Sequence, residues 1–298
     1  MYPTKPIRMI VPWSPGGTSD TTARILGQKL TESWGQQVVI DTRPGASGII
    51  GTELAMRAPA DGYTLLHANI SQFATNPSLY KVSYDTLRDF APVTMLASAP
   101  QLLVVNPSVP ARSVQELVQL ARARPDALNF GSGGAGTIAY PAGEMFKMMT
   151  GISMRHVPYK GTILALNDLI AGHVHVVFSD MPIALPHTST GKLRALAVTS
   201  ARRTPLLPGM PTISESGVSG YAIENSWGLF VPKKVPDSIV AKLNGEVVRI
   251  HRLAEVKERY AALGLEAITS SPERYAEYIR TEETKYSKII KATGAKVD

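Results

Sequence analysis

IRMIVPWSPGGTSDTTARILGQKLTESWGQQVVI, residues 7–40, holds a strand, a glycine turn, a helix and a second strand in succession. Ile7–Val11 is an apolar run of strand length and residues 38–40 form another. Between them Ala23, Leu26, Leu30 and Trp34 fall on one helical face. Thr18 or Ser19 is the expected N-cap, and Asp20 stands in the first turn where a carboxylate meets the positive end of the helix dipole. This is one βα unit.

Outward from that segment the scheme continues. Residues 64–68 and 102–105 read as strands. Ser113-Val114-Gln115-Glu116 is a capping-box match opening a helix that ends before Pro125. A strand at 128–130 leads to a helix with Ala142, Met145, Phe146 and Met149 on one face, then strands at 154–157, 174–178 and 196–199. After the Pro/Gly/Ser-rich residues 205–220 come a strand at 227–231 and helices from about Ser238, Glu255 and Pro272, the last with Ser271 before a proline at the first helical position. The fold class expected is α/β, built around mostly parallel sheets.

A chain of 298 residues suits one large or two medium domains, with two lobes the working expectation, and 44% hydrophobic with 18% charged residues is a globular balance. No apolar run approaches the roughly 20 residues that span a bilayer. The absence of Cys excludes disulfides, thiolate nucleophiles and Cys-based zinc sites. A net charge of +7 favours anionic solutes. The basic residues are scattered, with only Arg202-Arg203 and Lys233-Lys234 adjacent, so no nucleic-acid partner is expected. The chain opens Met1-Tyr2-Pro3-Thr4-Lys5-Pro6 without a charged and then apolar leader, which means that an export signal never existed or has been removed.

Two glycine-rich turns occupy equivalent places, each between a strand and a helix: Pro12-Trp13-Ser14-Pro15-Gly16-Gly17-Thr18-Ser19-Asp20 and Gly131-Ser132-Gly133-Gly134-Ala135-Gly136-Thr137. Glycine allows close backbone approach, and the unpaired N–H groups at a helix start favour an anion. A single such turn is better explained by a tight βα connection; two in register point instead to carboxylate capture by main-chain donors. The second turn also satisfies G-x-G-x-x-G, but no Asp or Glu stands between Glu144 and Asp168 to bind a ribose, so a dinucleotide is discounted and no cofactor is expected. The nucleophile elbow, the H-E-x-x-H helix and the phosphate-binding P-loop are absent, and no catalytic residue is assigned. His173 and His175 would share one strand face, yet no third ligand is in view and no metal site is expected. Asp180 ends a strand, where open α/β sheets bind ligands; a helix cap is the alternative.

The sequence resembles the solute-binding receptors of tripartite tricarboxylate transporters, the Bug family. The resemblance covers nearly the whole chain: residues 6–12 with Pro15-Gly16-Gly17 and Asp20, Arg43-Pro44-Gly45-Ala46-Ser47-Gly48, Asp61-Gly62-Tyr63-Thr64-Leu65, residues 129–137, and Val157-Pro158-Tyr159-Lys160-Gly161. It implies a type II periplasmic binding fold of two α/β lobes joined by a hinge, with lobe one at 1–103 plus 228–298 and lobe two at 104–227. It implies that two facing loops hold a carboxylate through backbone amides and bridging waters. The contacts implied are Trp13, Gly16, Gly17, Thr18, Ser132, Gly133 and Thr137, with Asn69, Ser71 and Gln72 after the third strand. Specificity maps to Tyr159, Lys160, Gly161, Thr162 and Asp180. An indole at Trp13 stacks on a flat ligand or packs in the core. An ionised Asp180 facing the ligand tilts the choice towards an amino acid, amide or hydroxylated acid. The partners implied are a small carboxylate and membrane transporter subunits of the tripartite tricarboxylate type. The protein is expected to be a periplasmic monomer whose signal peptide has been removed. A sensor that docks a signalling receptor, or an enzyme on the same scaffold, are the rival readings.

Overall fold

The structure, a computed structural model, describes residues 2–293. Its strands are β1 (Ile7–Val11), β2 (Val38–Thr42), β3 (Thr64–Asn69), β4 (Phe90–Val105), β5 (Asn129–Ser132), β6 (Arg155–Pro158), β7 (Val176–Asp180), β8 (Arg194–Val198), β9 (Glu224–Pro232) and β10 (Glu266–Ala267). The helices are α1 (Thr18–Trp34), α2 (Ile49–Met56), α3 (Ser71–Ala74), α4 (Asn76–Leu79), α5 (Thr86–Asp89), α6 (Val114–Ala123), α7 (Ala139–Thr150), α8 (Thr162–Ala171), α9 (Met181–Ser189), α10 (Asp237–His251), α11 (Ala254–Ala262) and α12 (Pro272–Thr293). None is long and apolar enough to cross a membrane among the described residues.

The chain divides into two compact units. The first comprises the chain up to Ser98, Ser226–Ala262 and Glu266–Lys285; the second comprises Ala99–Asn225, Leu263–Leu265 and the chain from Tyr286 on. In the first unit β1 lies between β2 and β3, parallel to both, and β3 pairs antiparallel with β9. The apolar face read from the sequence packs here: Ala23, Leu26 and Leu30 of α1 are fully buried along with Ile7, Met9 and Ile10 of β1, while Trp34 keeps partial exposure. The core is closed by Phe73 against Phe230, ring centroids 4.5 Å apart. Buried rings of this size each remove 150 Å² or more of apolar surface from water, about 25 cal/mol per Å².

In the second unit the strand order is β8-β4-β7-β5-β6, with β5 parallel to β6 and β7, and β4 antiparallel to β7 and β8. Leu102 and Val104 of β4, Val177 of β7 and Ala165, Leu166 and Leu169 of α8 form one buried cluster. The capping box holds α6 at its start, where the Glu116 N–H donates to Ser113 Oγ at 3.1 Å. Ser271 caps α12 in the same way, accepting from the Arg274 N–H.

Three expectations are corrected. The sheets are mixed rather than mostly parallel, because β9 and β4 run against their neighbours. The strand expected at 102–105 is the end of a longer one from Phe90, obscured in the sequence by Pro92 and Pro100. Pro100 falls between the Ser98 pairing with β10 and the Gln101 pairing with β7, at a place with no ladder partner in either strand. Neither Thr18 nor Ser19 caps α1. Gly17 is the N-cap and, as a glycine, has no side chain with which to cap; Ser19, inside the first turn, uses its Oγ to accept from the Trp227 indole N–H at 3.0 Å.

Candidate functional site

At the carboxyl ends of the parallel strands β1, β2 and β3, three loops of the first unit meet. A Cβ on Gly48 would stand 3.3 Å from Gln72 Cγ and Nε2 and 3.3 Å from Pro12 Cβ, so no larger residue fits that approach freely. The loop that brings Gly48 there has positive φ at four successive residues, Gly45, Ala46, Ser47 and Gly48. For Ala46 and Ser47 that conformation costs of order 1–3 kcal/mol each. Asn76 Nδ2, donating to the Ser47 carbonyl at 2.9 Å, and the Ser47–Tyr80 hydroxyl pair at 3.1 Å hold the loop in place.

Gln72 is fully buried, and its amide orientation is fixed from one side. Its Oε1 accepts from the Asn69 N–H at 2.8 Å and, more loosely, from Trp13 Nε1–H at 3.4 Å. The other end, Nε2, has no partner among the described residues. Asn69 in turn accepts from the N–H and hydroxyl of Ser71, so Asn69 and Ser71 brace the loop after β3. Trp13 is half-buried, which leaves part of the indole open.

The start of α1 is not bare. The Gly16 N–H, in a residue with φ +82°, donates to Asp20 Oδ2 at 3.0 Å, and the exposed Arg24 reaches the same oxygen. Thus the amide expected at Gly16 is occupied by the chain's own carboxylate. The N–H groups of Gly17 and Thr18 serve no acceptor among the described residues, and the buried Thr18 Oγ1 is also unpartnered. Behind them His67 is fully buried with Nε2 3.0 Å from Thr22 Oγ1. Burial pulls its pKa down to about 4, so the ring is neutral at pH 7.

The second unit has the corresponding edge at the ends of β5, β6 and β7. Ser132 Oγ accepts from the Gly134 N–H at 3.1 Å and lies 2.7 Å from His156 Nε2. Desolvation and the nearby Lys147 lower the His156 pKa to about 4, which keeps this ring neutral too. Thr137 turns its N–H and hydroxyl onto the Gly134 carbonyl. The side chains expected to touch ligand therefore shape the turn. The N–H groups of Gly133, Ala135 and Gly136 have no acceptor among the described residues. Gly133 has a packing role as well: a Cβ would lie 2.7 Å from Thr162 N and 3.0 Å from Gly161 C.

The remaining residues separate. Gly161, at φ +133°, is the N-cap of α8, and Thr162 opens that helix. Tyr159 turns its hydroxyl onto Asp168 Oδ2 at 2.7 Å; desolvation, then that partner, raises its pKa to about 12. Lys160 is exposed. Asp180 is the N-cap residue of α9 by position but makes no side-chain cap bond. Its Oδ1 accepts from Gln101 Nε2 at 3.3 Å and Asn225 Nδ2 at 3.1 Å. Burial raises its pKa and those two donors oppose the rise.

Gln101 and Asn225 were not singled out from the sequence. The available signal was a polar amide on each side of apolar runs, in Pro100-Gln101-Leu102 and Asn225-Ser226-Trp227. His173 and His175 do not converge: His173 Nδ1 is 3.5 Å from Asp168, whereas His175 Nδ1 accepts from the Asn129 N–H.

Residues 22–295 match the profile of the tripartite tricarboxylate transporter family receptor, TctC. The protein BugT of Bordetella pertussis is 35% identical over 99% of this chain and 91% of its own length. Among solved structures, R. palustris Rpa4515 with adipate superposes with a TM-score of 0.95 at 36% identity, covering 100% of both chains. The periplasmic binding protein BugD superposes with a TM-score of 0.90 at 30% identity, covering 99% of this chain and 100% of that one.

Proposed function

The chain belongs to the receptor family of tripartite tricarboxylate transporters, and on that premise we propose that it captures a small carboxylate outside the cytoplasm and hands it to the membrane subunits of such a transporter. The observation that carries the reading is the set of unused donors at the carboxyl edge of the first unit. Gln72 Nε2, Thr18 Oγ1 and the N–H groups of Gly17 and Thr18 lack partners among the described residues. An ionised carboxylate only accepts hydrogen bonds, and charge-assisted bonds to such donors are the strong ones. Within the second unit, the glycine-turn N–H groups of Gly133, Ala135 and Gly136 likewise have no acceptor among the described residues. The net charge of +7 raises the local concentration of such anions.

Support from relatives is of the same kind, since Rpa4515 was solved with adipate. We read the protein as a periplasmic monomer that binds and releases its ligand unchanged, without a cofactor. A sensor role would use the same contacts, and uptake of the ligand by cells deleted for the gene separates the two: unimpaired uptake refutes delivery. A thermal-shift screen of mono- and dicarboxylates, aromatic acids, acidic amino acids and nicotinate-like compounds tests capture directly. A ligand at 100 times its Kd stabilises the folded state by about 2.7 kcal/mol. If no acid moves the midpoint, the proposal fails; if mass spectrometry finds the bound acid converted, the protein is an enzyme instead.

A further inference from the structure

Asp180, Gln101 and Asn225 form an arrangement whose polarity is the reverse of the donor-rich edge just described. Gln101 and Asn225 are 2% and 3% exposed, and both direct their side-chain NH2 groups at one oxygen, Asp180 Oδ1. That shared target fixes the rotation of both amides, because turning either one would set a carbonyl oxygen against the carboxylate. Their own oxygens, Gln101 Oε1 and Asn225 Oδ1, are consequently left buried and unpartnered among the described residues. Asp180 Oδ2 accepts none of the described hydrogen bonds, is not among the shielded atoms, and belongs to a residue that keeps partial exposure. The carboxylate is thereby held by one oxygen and presents the other.

This cluster sits at the same strand-end edge of the unit as the second glycine turn. Gln101 pairs with Asp180 across β4 and β7, and β7 runs parallel to β5, whose end carries the second glycine turn. The Gln101 N–H donates to Thr199 Oγ1 at 2.7 Å, and the Ile223 N–H donates to the Thr199 carbonyl at 2.9 Å. Those two bonds tie the start of this β4 segment and the approach to Asn225 to one residue. Gln101 and Asn225 thus orient the Asp180 carboxylate.

We propose that Asp180 Oδ2, oriented by Gln101 and Asn225, selects a carboxylate that carries a hydrogen-bond donor, an ammonium, amide or hydroxyl group, over one that ends in a second bare carboxylate. The inference rests on the carboxylate-capture reading. An acceptor backed by two further unpartnered acceptor atoms gains from a donor and repels another anion. A hydrogen bond to a charged group is worth about tenfold to a hundredfold in affinity.

The test is isothermal titration calorimetry on the full chain with matched acids of four, five and six carbons. Each set contains the dicarboxylate, its monoamide, its 2-hydroxy and its 2-amino derivative. In the chain length that binds tightest, a donor-bearing acid should bind at least about tenfold tighter than the plain dicarboxylate. Asp180→Asn keeps the shape but offers an NH2 group in place of Oδ2, and should bring that ratio to about twofold or less, or invert it. A plain dicarboxylate that binds as tightly as its derivatives overturns the inference and leaves capture standing. So does a preference that survives in Asp180→Asn. If no acid binds at all, capture and this inference fall together. Should Asp180→Asn not fold, the comparison on the wild-type protein decides alone.

Discussion

Alanine in place of Gly133 and of Gly17 should separate packing from ligand contact at the two glycine turns. A Cβ on Gly133 would lie 2.7 Å from Thr162 N, 2.8 Å from Thr162 Oγ1 and 3.0 Å from Gly161 C. Carbon atoms normally rest about 3.5–4.0 Å from their neighbours, so the turn and the start of α8 must part by roughly 0.5–1 Å. That movement strains the bond from the Tyr159 N–H to the Ser132 carbonyl, now 2.9 Å, and overpacking of this kind costs about 1–3 kcal/mol. At about 2–4 °C per kcal/mol, the ligand-free melting midpoint of Gly133→Ala should drop by about 2–12 °C. Gly17 differs: its φ is −79°, open to any residue, and the nearest atom to an added Cβ is Ser14 O at an ordinary 3.6 Å. Gly17→Ala should melt within about 0.5 kcal/mol of the wild type. Its methyl group nonetheless crowds the approach to the Gly17 and Thr18 N–H groups, and loss of one charge-assisted bond lowers affinity about tenfold or more. Thermal melts without ligand, followed by calorimetry with the tightest acid found, read both quantities. A Gly133→Ala protein that melts with the wild type refutes the packing argument, and unaltered affinity in Gly17→Ala refutes the donor argument.

Gln72→Glu keeps an oxygen for the Asn69 and Trp13 donors but turns the inward NH2 into a second oxygen. Carboxylate affinity should fall by about tenfold to a hundredfold, and unchanged affinity would show that Nε2 does not face the ligand. Acid should weaken the fold through His67. Its pKa is about 4 when folded and near 6.5 when unfolded, so between these values only the unfolded chain takes up the proton. Stability should therefore fall as pH drops from 6.5 to 4, by up to about 3 kcal/mol from this ring, with no further loss from it below pH 4. His156 acts in the same direction. Asp180, whose pKa is raised, acts in the opposite one: its contribution is present in acid and lost as pH rises through the folded value. Melts at pH 7, 5.5 and 4.5 should converge for His67→Gln relative to the wild type; parallel curves would refute the assignment.

Local order fixed much of this protein in advance. The period of Ala23, Leu26 and Leu30, the apolar run of β1 and the capping residues Ser113 and Ser271 act within a few residues, so they are legible one residue at a time. The glycine turns were legible for the same reason, as was the ordered set of motifs that carries the family resemblance. What neighbours do across the sheet was not. Whether Gly16 offers its amide depends on Asp20 folding back onto it, and whether Tyr159 faces a ligand depends on Asp168 claiming its hydroxyl. The direction of β9 and the true length of β4 depend on partners far along the chain. Gln101 and Asn225 stand far apart in the sequence, yet both donate to the carboxylate of Asp180. A hydrogen bond is short and directional, so only the folded chain decides which of its polar groups are satisfied internally and which are left for a ligand.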